Sequence, residues 1–144
     1  MRIVLASASP RRRALLSALG LDIEIIPSNA PEIDEGAIPA SIVIENAKRK
    51  RDDVASRPGP PSLVIAADTL VFLDAHVLSK PRDLDDARAM LRRLSGKTHE
   101  VVTGLAVADT NSGRRIEGHE CTKVTFSQLS NMEIDHFVHA VKPL

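Results

Sequence analysis

The stretch SLVIAADTLVFLD, residues 62–74, is a long apolar run that contains one charged residue in its middle, Asp68. A run of this length, entered from the loop signal SRPGPPS (56–62), predicts a central strand that bends into a second strand. Shorter apolar runs alternate with helical patterns on the N-terminal side, and a hairpin pattern follows on the other side. The chain is therefore predicted to be an α/β protein with a mixed sheet.

The elements around this run follow from ordinary start and stop signals. Strands are predicted at residues 2–6 and 22–26, with a helix from Pro10 to Leu19 between them that Gly20 ends. Three features predict the other elements: a proline at a first helical position, capping residues, and a turn between two segments in which apolar and polar residues alternate. The predicted elements are a helix from Pro39 to about Ser56, a helix between Asp83 and Gly96, an antiparallel pair around TNSG (110–113), and a helix from the Ser130–Glu133 capping box to about Val141.

The composition of the 144 residues excludes several classes of protein. The formal net charge is zero, and there is no Trp or Tyr and only three Phe, which disfavours a protein that coats nucleic acid polymers. No apolar stretch reaches membrane-spanning length. The single cysteine, Cys121, excludes an internal disulfide framework and indicates a reducing compartment. We therefore predict a cytoplasmic protein with neither a nucleic acid polymer nor a membrane as partner.

The stretch SASPRRRALL (7–16) combines a helix start with an unusual charge pattern. Ser9 is a typical N-cap residue, yet the first turn that follows carries three arginines (11–13), where acidic residues are preferred. A strand, a short loop and a helix N-terminus form an anion-binding geometry, and guanidinium groups favour a polyphosphate. The alternative is a solvated basic turn. The strand–loop–helix context favours phosphate, with Arg11 and Arg12 as the better placed cations.

Asp68 is the second candidate. A carboxylate inside an apolar run is costly unless it is paired or lies at a strand end. It would therefore be a metal ligand or a general base at the edge of a cleft. The alternative is a strand-ending turn at Asp68–Thr69, and the sequence alone leaves both open.

Lys50 is the third candidate, because it lies on the apolar stripe of the helix that begins at Pro39. Apolar residues recur along this face at helical spacing, and Lys50 falls in the middle of them. The side chain could extend outward along the surface or reach into a phosphate site, and the two interpretations remain open. Two charged loops, IDEG with Glu35 and SKPRD with Lys80, add weaker candidates.

Several motifs occur in an order and spacing that resemble the Maf family of nucleotide pyrophosphatases. They are LASASPRRRALL, IDEG, ENAKRKRDDVA, AADTLVFLD, LSKPRD, AMLRRLSGKTHEVVTGLAV and VTFSQLSNMEIDHFV, and together they cover nearly the whole chain. The resemblance implies a two-lobed α/β fold with a central cleft, similar to that of the inosine triphosphate pyrophosphatases. It also implies hydrolysis of a nucleoside triphosphate to the monophosphate and pyrophosphate with a divalent cation, magnesium or manganese.

The resemblance also assigns expected roles to residues. Asp68 would be the proton acceptor, and Glu35 with Asp68 would hold the metal. The remaining expected residues all contact the substrate, mostly its phosphates: Ser7, Ser9, Arg11, Arg12, Lys50, Thr69 and Lys80.

Within the family, Arg12 and Thr69 match the branch that acts on dTTP and UTP. The alternatives are a pyrophosphatase of the 7-methyl-GTP type and a nucleotide-binding regulator without catalysis, since proteins of this family have been linked to inhibition of septum formation. A grouping of carboxylates with several cations favours catalysis over binding alone.

Family members continue beyond the AVKPL of residues 140–144 with further strands and a glutamine that contributes to specificity. The expectation is a single Maf-like domain over residues 1–144 that lacks this C-terminal segment. Without it, an unpaired strand edge and an apolar face on the last helix would be exposed, which predicts self-association and weak activity. A homodimer is left open.

Overall fold

The computed structural model describes residues 2–7, 9–33, 38–74, 76–78 and 80–140. The described strands and helices are, in chain order, β1 (Arg2–Leu5), α1 (Pro10–Ala18), β2 (Ile23–Ile25), α2 (Pro39–Ala55), β3 (Ser62–Leu73), β4 (His76–Leu78), α3 (Leu84–Leu94), β5 (Thr98–Asp109), β6 (Arg115–Thr125) and α4 (Asn131–Ala140). Their positions agree with the predicted elements to within one or two residues, except for β4, a strand that the sequence does not predict at residues 76–78.

The strands form one mixed sheet in the order β2-β1-β3-β5-β6, with β4 also paired to β3. β1 is parallel to β2 and β3, whereas the β3–β5, β5–β6 and β3–β4 pairs are antiparallel. The predicted mixed α/β class is thus confirmed. The predicted bend within residues 62–74 is wrong: β3 is one strand of 12 residues, and the chain reverses only after it, where Asp74 has a φ of 50°.

Helix α2 lies across β3 and β5 and forms the centre of the core. Pro39 occupies its first turn, where a missing N–H costs nothing. Its buried face packs on the sheet face that carries the alternate residues of β3 and β5, including Val64 and Val102. The closest approach is at Gly104, where a Cβ atom would lie 2.3 Å from the carbonyl oxygen of Val43. A side chain at this position would push the helix off the sheet.

Arg51 connects the same helix to the edge strand β6. Its side chain is 1% exposed; Nη1 donates to Glu117 Oε1 at 2.8 Å and Nε donates to Asp52 Oδ1 at 2.9 Å. Burial lowers the pKa of Arg51, but the hydrogen bonds to Asp52 and Glu117 outweigh it and hold the pKa above its ordinary value. The pairing compensates for burial of the charge and holds α2 to β6.

Helix α1 is attached to the sheet far more loosely. None of its residues is buried, and Leu15 and Leu19 are 64% and 74% exposed. The apolar side chains of this helix therefore do not pack against a core in the described residues. Capping holds the ends of the helix, with the Ser9 side chain accepting from the Arg12 N–H and Gly20 at a φ of 81° after the last turn.

A second group of buried apolar side chains lies where α3 and α4 pack together. Leu91 contacts the cluster formed with Ile134 and Val138, and Leu94 joins a neighbouring cluster with Leu73 and Leu78. The predicted capping box is present, since the Ser130 and Glu133 side chains each accept the other's backbone N–H. Buried apolar side chains thus form separate groups under α2 and under α3–α4. None of the described helices is long and apolar enough to cross a membrane.

Candidate functional site

Asp68 lies in the middle of β3 and faces α2. It is 4% exposed, and its register partner on β5 is Gly104. Asn46 Nδ2 donates to Asp68 Oδ2 at 2.8 Å, and Lys50 Nζ lies 3.5 Å from Oδ1. The alternative of a strand-ending turn at this residue is therefore wrong. The carboxylate is tolerated in an apolar run because one oxygen accepts an amide N–H and the other lies beside an ammonium group.

Lys50 is directed into the same site. Its side chain is 13% exposed, and Nζ lies 2.7 Å from Glu32 Oε1 and 3.4 Å from the carbonyl oxygen of Ala67. It does not extend outward, so the alternative of a surface lysine is wrong. The hydrogen bond from Lys50 lowers the pKa of Glu32, and the charges of Lys80 and Arg12 add to this effect.

Arg12 reaches from α1 to the exposed end of the site. Its Nη2 donates to Thr69 Oγ1 at 2.9 Å, and its Nη1 donates to Ser7 Oγ at 3.4 Å and to the carbonyl oxygen of Ala67 at 3.3 Å. Burial lowers the pKa of Arg12, whereas the charge of Asp68 raises it. The carbonyl of Ala67, the residue before Asp68, thus accepts from both Arg12 and Lys50.

The serines before α1 are positioned by their own hydrogen bonds. Ser9 N–H donates to Ser7 Oγ at 3.2 Å, and Ser9 Oγ accepts from the Arg12 N–H at 3.4 Å. Ser7 is buried and Ser9 is half-buried. The structure thus brings Ser7, Ser9, Arg12 and Thr69 together at the N-terminal end of α1, the part of a helix that attracts anions.

Two predicted residues are less closely joined to this group. Arg11 and Lys80 are exposed, and Lys80 is near enough to Glu32 to affect its pKa. Lys80 also borders a groove of about 340 Å³ between β4 and α3, whose lining includes Arg82 and Arg93. Glu35, the predicted metal ligand, lies outside the described residues.

Sequence reasoning missed three residues of the site. Glu32 pairs with Lys50, Asn46 donates to Asp68, and Thr103 Oγ1 lies 2.9 Å from Thr69 Oγ1. A signal existed for Asn46, which precedes Lys50 by one helical turn on the same apolar face. Glu32 and Thr103 carry no such local signal, because they meet the site only through the folding of a loop and the pairing of β3 with β5.

The site offers few carboxylates for a divalent cation. In the described part of the chain, no group of three or more His, Cys, Asp and Glu side chains could hold a metal ion. Asp68 and Glu32 are two carboxylates that flank the same ammonium group. Magnesium is commonly bound through one or two carboxylates together with substrate phosphates and water. The donor set therefore fits a cation that arrives with a phosphate-bearing ligand.

A known protein family matches nearly the whole chain. The family model described as Maf-like protein matches residues 2–144. The chain is 46% identical to the dTTP/UTP pyrophosphatase of Anaeromyxobacter dehalogenans (strain 2CP-1), over 99% of this chain and 73% of that protein. It is 41% identical to the dTTP/UTP pyrophosphatase of Thermoanaerobacter sp. (strain X514), over 96% and 72%.

A solved structure supports the fold independently. The structure of a HAM1 protein from Coxiella burnetii matches with a TM-score of 0.51 and 20% identity, over 85% of this chain and 71% of that one. At this identity the likeness concerns the fold alone, and it agrees with the mixed α/β sheet. The family match spans nearly every residue and includes the segments that form the site: the chain belongs to the family of Maf-like proteins.

Proposed function

We propose that the chain hydrolyses nucleoside triphosphates, with dTTP and UTP as the preferred substrates, to the nucleoside monophosphate and pyrophosphate. The observation that carries this proposal is the buried carboxylate of Asp68, which lies beside Lys50, while Arg12 donates to the residues before and after it in the strand. The names of the similar curated proteins support this choice of nucleotide.

The phosphates would bind at the N-terminal end of α1. Ser7, Ser9 and Arg12 supply hydroxyl, backbone and guanidinium donors there, with Arg11 at the exposed edge. A triphosphate would also neutralise the positive charge that three arginines add to the positive end of the helix dipole. Lys50 and Lys80 would act as fixed positive charges on the phosphates.

Asp68 would orient the attacking water and accept its proton. Water attacks the α-phosphorus, the α–β anhydride bond breaks, and pyrophosphate leaves with the bond's electron pair. A carboxylate suits this role because its oxygens accept hydrogen bonds and protons, and the Asn46 amide holds only Oδ2. Thr69, next to Asp68, would contact the substrate while Thr103 holds its hydroxyl.

A divalent cation, magnesium or manganese, would be held by Asp68 together with Glu35, and Glu32 is a further carboxylate within the described site. When bound, such an ion neutralises charge that develops on the phosphate oxygens.

The test is pyrophosphate release from dTTP, UTP, CTP and 7-methyl-GTP with magnesium. We expect the chain to cleave dTTP and UTP fastest and Asp68→Asn to lower kcat by at least about a hundredfold, since the amide cannot accept the proton. Asp22→Asn, the same change at an exposed position, is the matched control and should leave kcat unchanged.

Three results would contradict the proposal. Retained turnover in Asp68→Asn would exclude Asp68 as the base. Preference for 7-methyl-GTP would assign the chain to the other branch. Tight binding of nucleotide by the native chain without any pyrophosphate release would favour a regulator.

A further inference from the structure

Asn46 is 1% exposed, and its side-chain amide makes three hydrogen bonds. Oδ1 accepts from the Ile33 N–H at 2.7 Å, and Nδ2 donates to the Ile33 carbonyl at 2.7 Å and to Asp68 Oδ2 at 2.8 Å. Both amide hydrogens are thus used. The amide has a single orientation, because the reverse orientation would point its oxygen at two acceptors.

The position of Asn46 depends on the close approach of α2 to the sheet. Gly104 is the register partner of Asp68, and a Cβ atom there would lie 2.3 Å from the Val43 carbonyl oxygen. Val43 precedes Asn46 by three residues, so both lie on the face of α2 that meets the sheet. The missing side chain at Gly104 therefore lets the helix come near enough for the amide to reach the carboxylate.

We infer that Asn46 is a positioning residue that fixes the orientation of the Asp68 carboxylate and ties it to the Glu32–Ile33 segment. One oxygen of Asp68 is held by a neutral donor, which leaves Oδ1 as the oxygen that faces Lys50. A neutral amide orients a carboxylate without adding a charge beside it. The role in catalysis rests on the proposed function, in which Asp68 accepts the proton.

The competing explanation is that Asn46 is purely structural and only satisfies the backbone of Ile33. Steady-state kinetics of Asn46→Ala, measured in the native chain and in Asp68→Asn, distinguishes the two explanations. In the native background we expect Asn46→Ala to lower kcat about tenfold to a hundredfold with less than about a threefold change in KM. In the Asp68→Asn background the same change should lower kcat by less than about twofold, because no base remains to be positioned. Asn111→Ala, in an exposed turn, is the control and should match the native chain.

An equal loss of kcat in both backgrounds, or no loss in the native one, would overturn the inference. If Asn46→Ala does not fold, the inference can be tested by exchanging the residues at positions 46 and 68. Asn46→Asp alone places two carboxylates together and should unfold at lower urea than the native chain. Asn46→Asp combined with Asp68→Asn restores a donor and an acceptor between the two side chains. Stability should therefore recover in part, since a carboxylate at position 46 still cannot donate to the Ile33 carbonyl, whereas kcat should not recover. A double variant no more stable than Asn46→Asp would contradict the contact.

Failure of the proposed function is recognised separately. If the native chain releases no pyrophosphate from any nucleotide, the proposed function is wrong. The positioning role of Asn46 is then tested by two measurements that need no turnover. Amide hydrogen exchange at Ile33 should be at least about tenfold faster in Asn46→Ala. Urea unfolding of Asn46→Ala, Asp68→Asn and the double variant should be non-additive. Unchanged exchange, or additive unfolding, would overturn the positioning role.

Discussion

The two helices that contribute to the site are held in opposite ways. Helix α2 is pressed against β3 and β5, with Asn46 and Arg51 each 1% exposed and a backbone contact at Gly104 that leaves no space for a Cβ atom. Helix α1 buries none of its residues and is joined to the site by the hydrogen bonds of Arg12 to Ser7, Thr69 and the sheet.

The difference corresponds to two chemical tasks. A proton acceptor needs a fixed orientation, which dense packing on a sheet provides. A helix that binds a large, highly charged ligand can be ordered by that ligand, since the binding energy comes from charge and hydrogen bonds rather than from apolar burial. Changes under α2 are therefore expected to affect stability and activity together, whereas changes in α1 should affect binding alone.

The largest effect is expected from Gly104→Ala. The added methyl group would overlap the Val43 backbone, so α2 must move away from β5, and the free energy of unfolding should fall by roughly 3 kcal/mol. Gly118→Ala is the matched control, because that glycine lies on β6 with open space around its Cβ position; it should change stability by less than about 0.5 kcal/mol. Urea unfolding measures both, and equal stabilities would show that the close contact is unimportant.

An intermediate effect is expected from Arg12→Ala. Removing the guanidinium should weaken triphosphate binding about tenfold, with a smaller loss at high salt, while the unfolding midpoint stays nearly unchanged because α1 buries nothing. Arg13→Ala, an exposed arginine in the same turn, should weaken binding much less. Titration with a nucleotide at two salt concentrations checks this. Equal losses for the two variants would indicate a diffuse charge effect instead of a specific contact.

The smallest effect is expected at the pair of Glu32 with Lys50. The hydrogen bond from Lys50 lowers the pKa of Glu32 in the folded state, so its contribution to stability is present above the ordinary glutamate pKa of 4.5 and is lost as the pH falls through the lowered value. Because the Glu32 side chain is 56% exposed, solvent screening limits the contribution to about 0.5 kcal/mol. The difference in unfolding free energy between the native chain and Glu32→Gln, measured from pH 7 to pH 3, should shrink below pH 4.5. A difference that grows as the pH falls would contradict a stabilising role for the pair.

Local signals predicted much of this molecule. The single charge in an apolar strand and the single lysine on an apolar helix face identified Asp68 and Lys50, and the structure places them 3.5 Å apart. The same reasoning fails for Arg51: the helical spacing that puts Lys50 on the apolar stripe predicts that Arg51 points elsewhere, yet Arg51 is nearly fully buried. Its partner Glu117 lies 66 residues away on β6, and no local periodicity in the sequence predicts a pairing at that separation.

The amino-acid sequence by itself determined the approximate bounds of the helices and of most strands, their caps, the family and most of the candidate residues. Each of these depends on neighbours within a few positions or on the motifs as written. Only the tertiary structure decided that Asp68 is held by Asn46, that Glu32 pairs with Lys50, and that β3 continues unbroken through its one charge. The physical reason is that these contacts form where α2 lies on the sheet. That placement depends on the absence of a side chain at Gly104, nearly sixty residues after Asn46 in the chain.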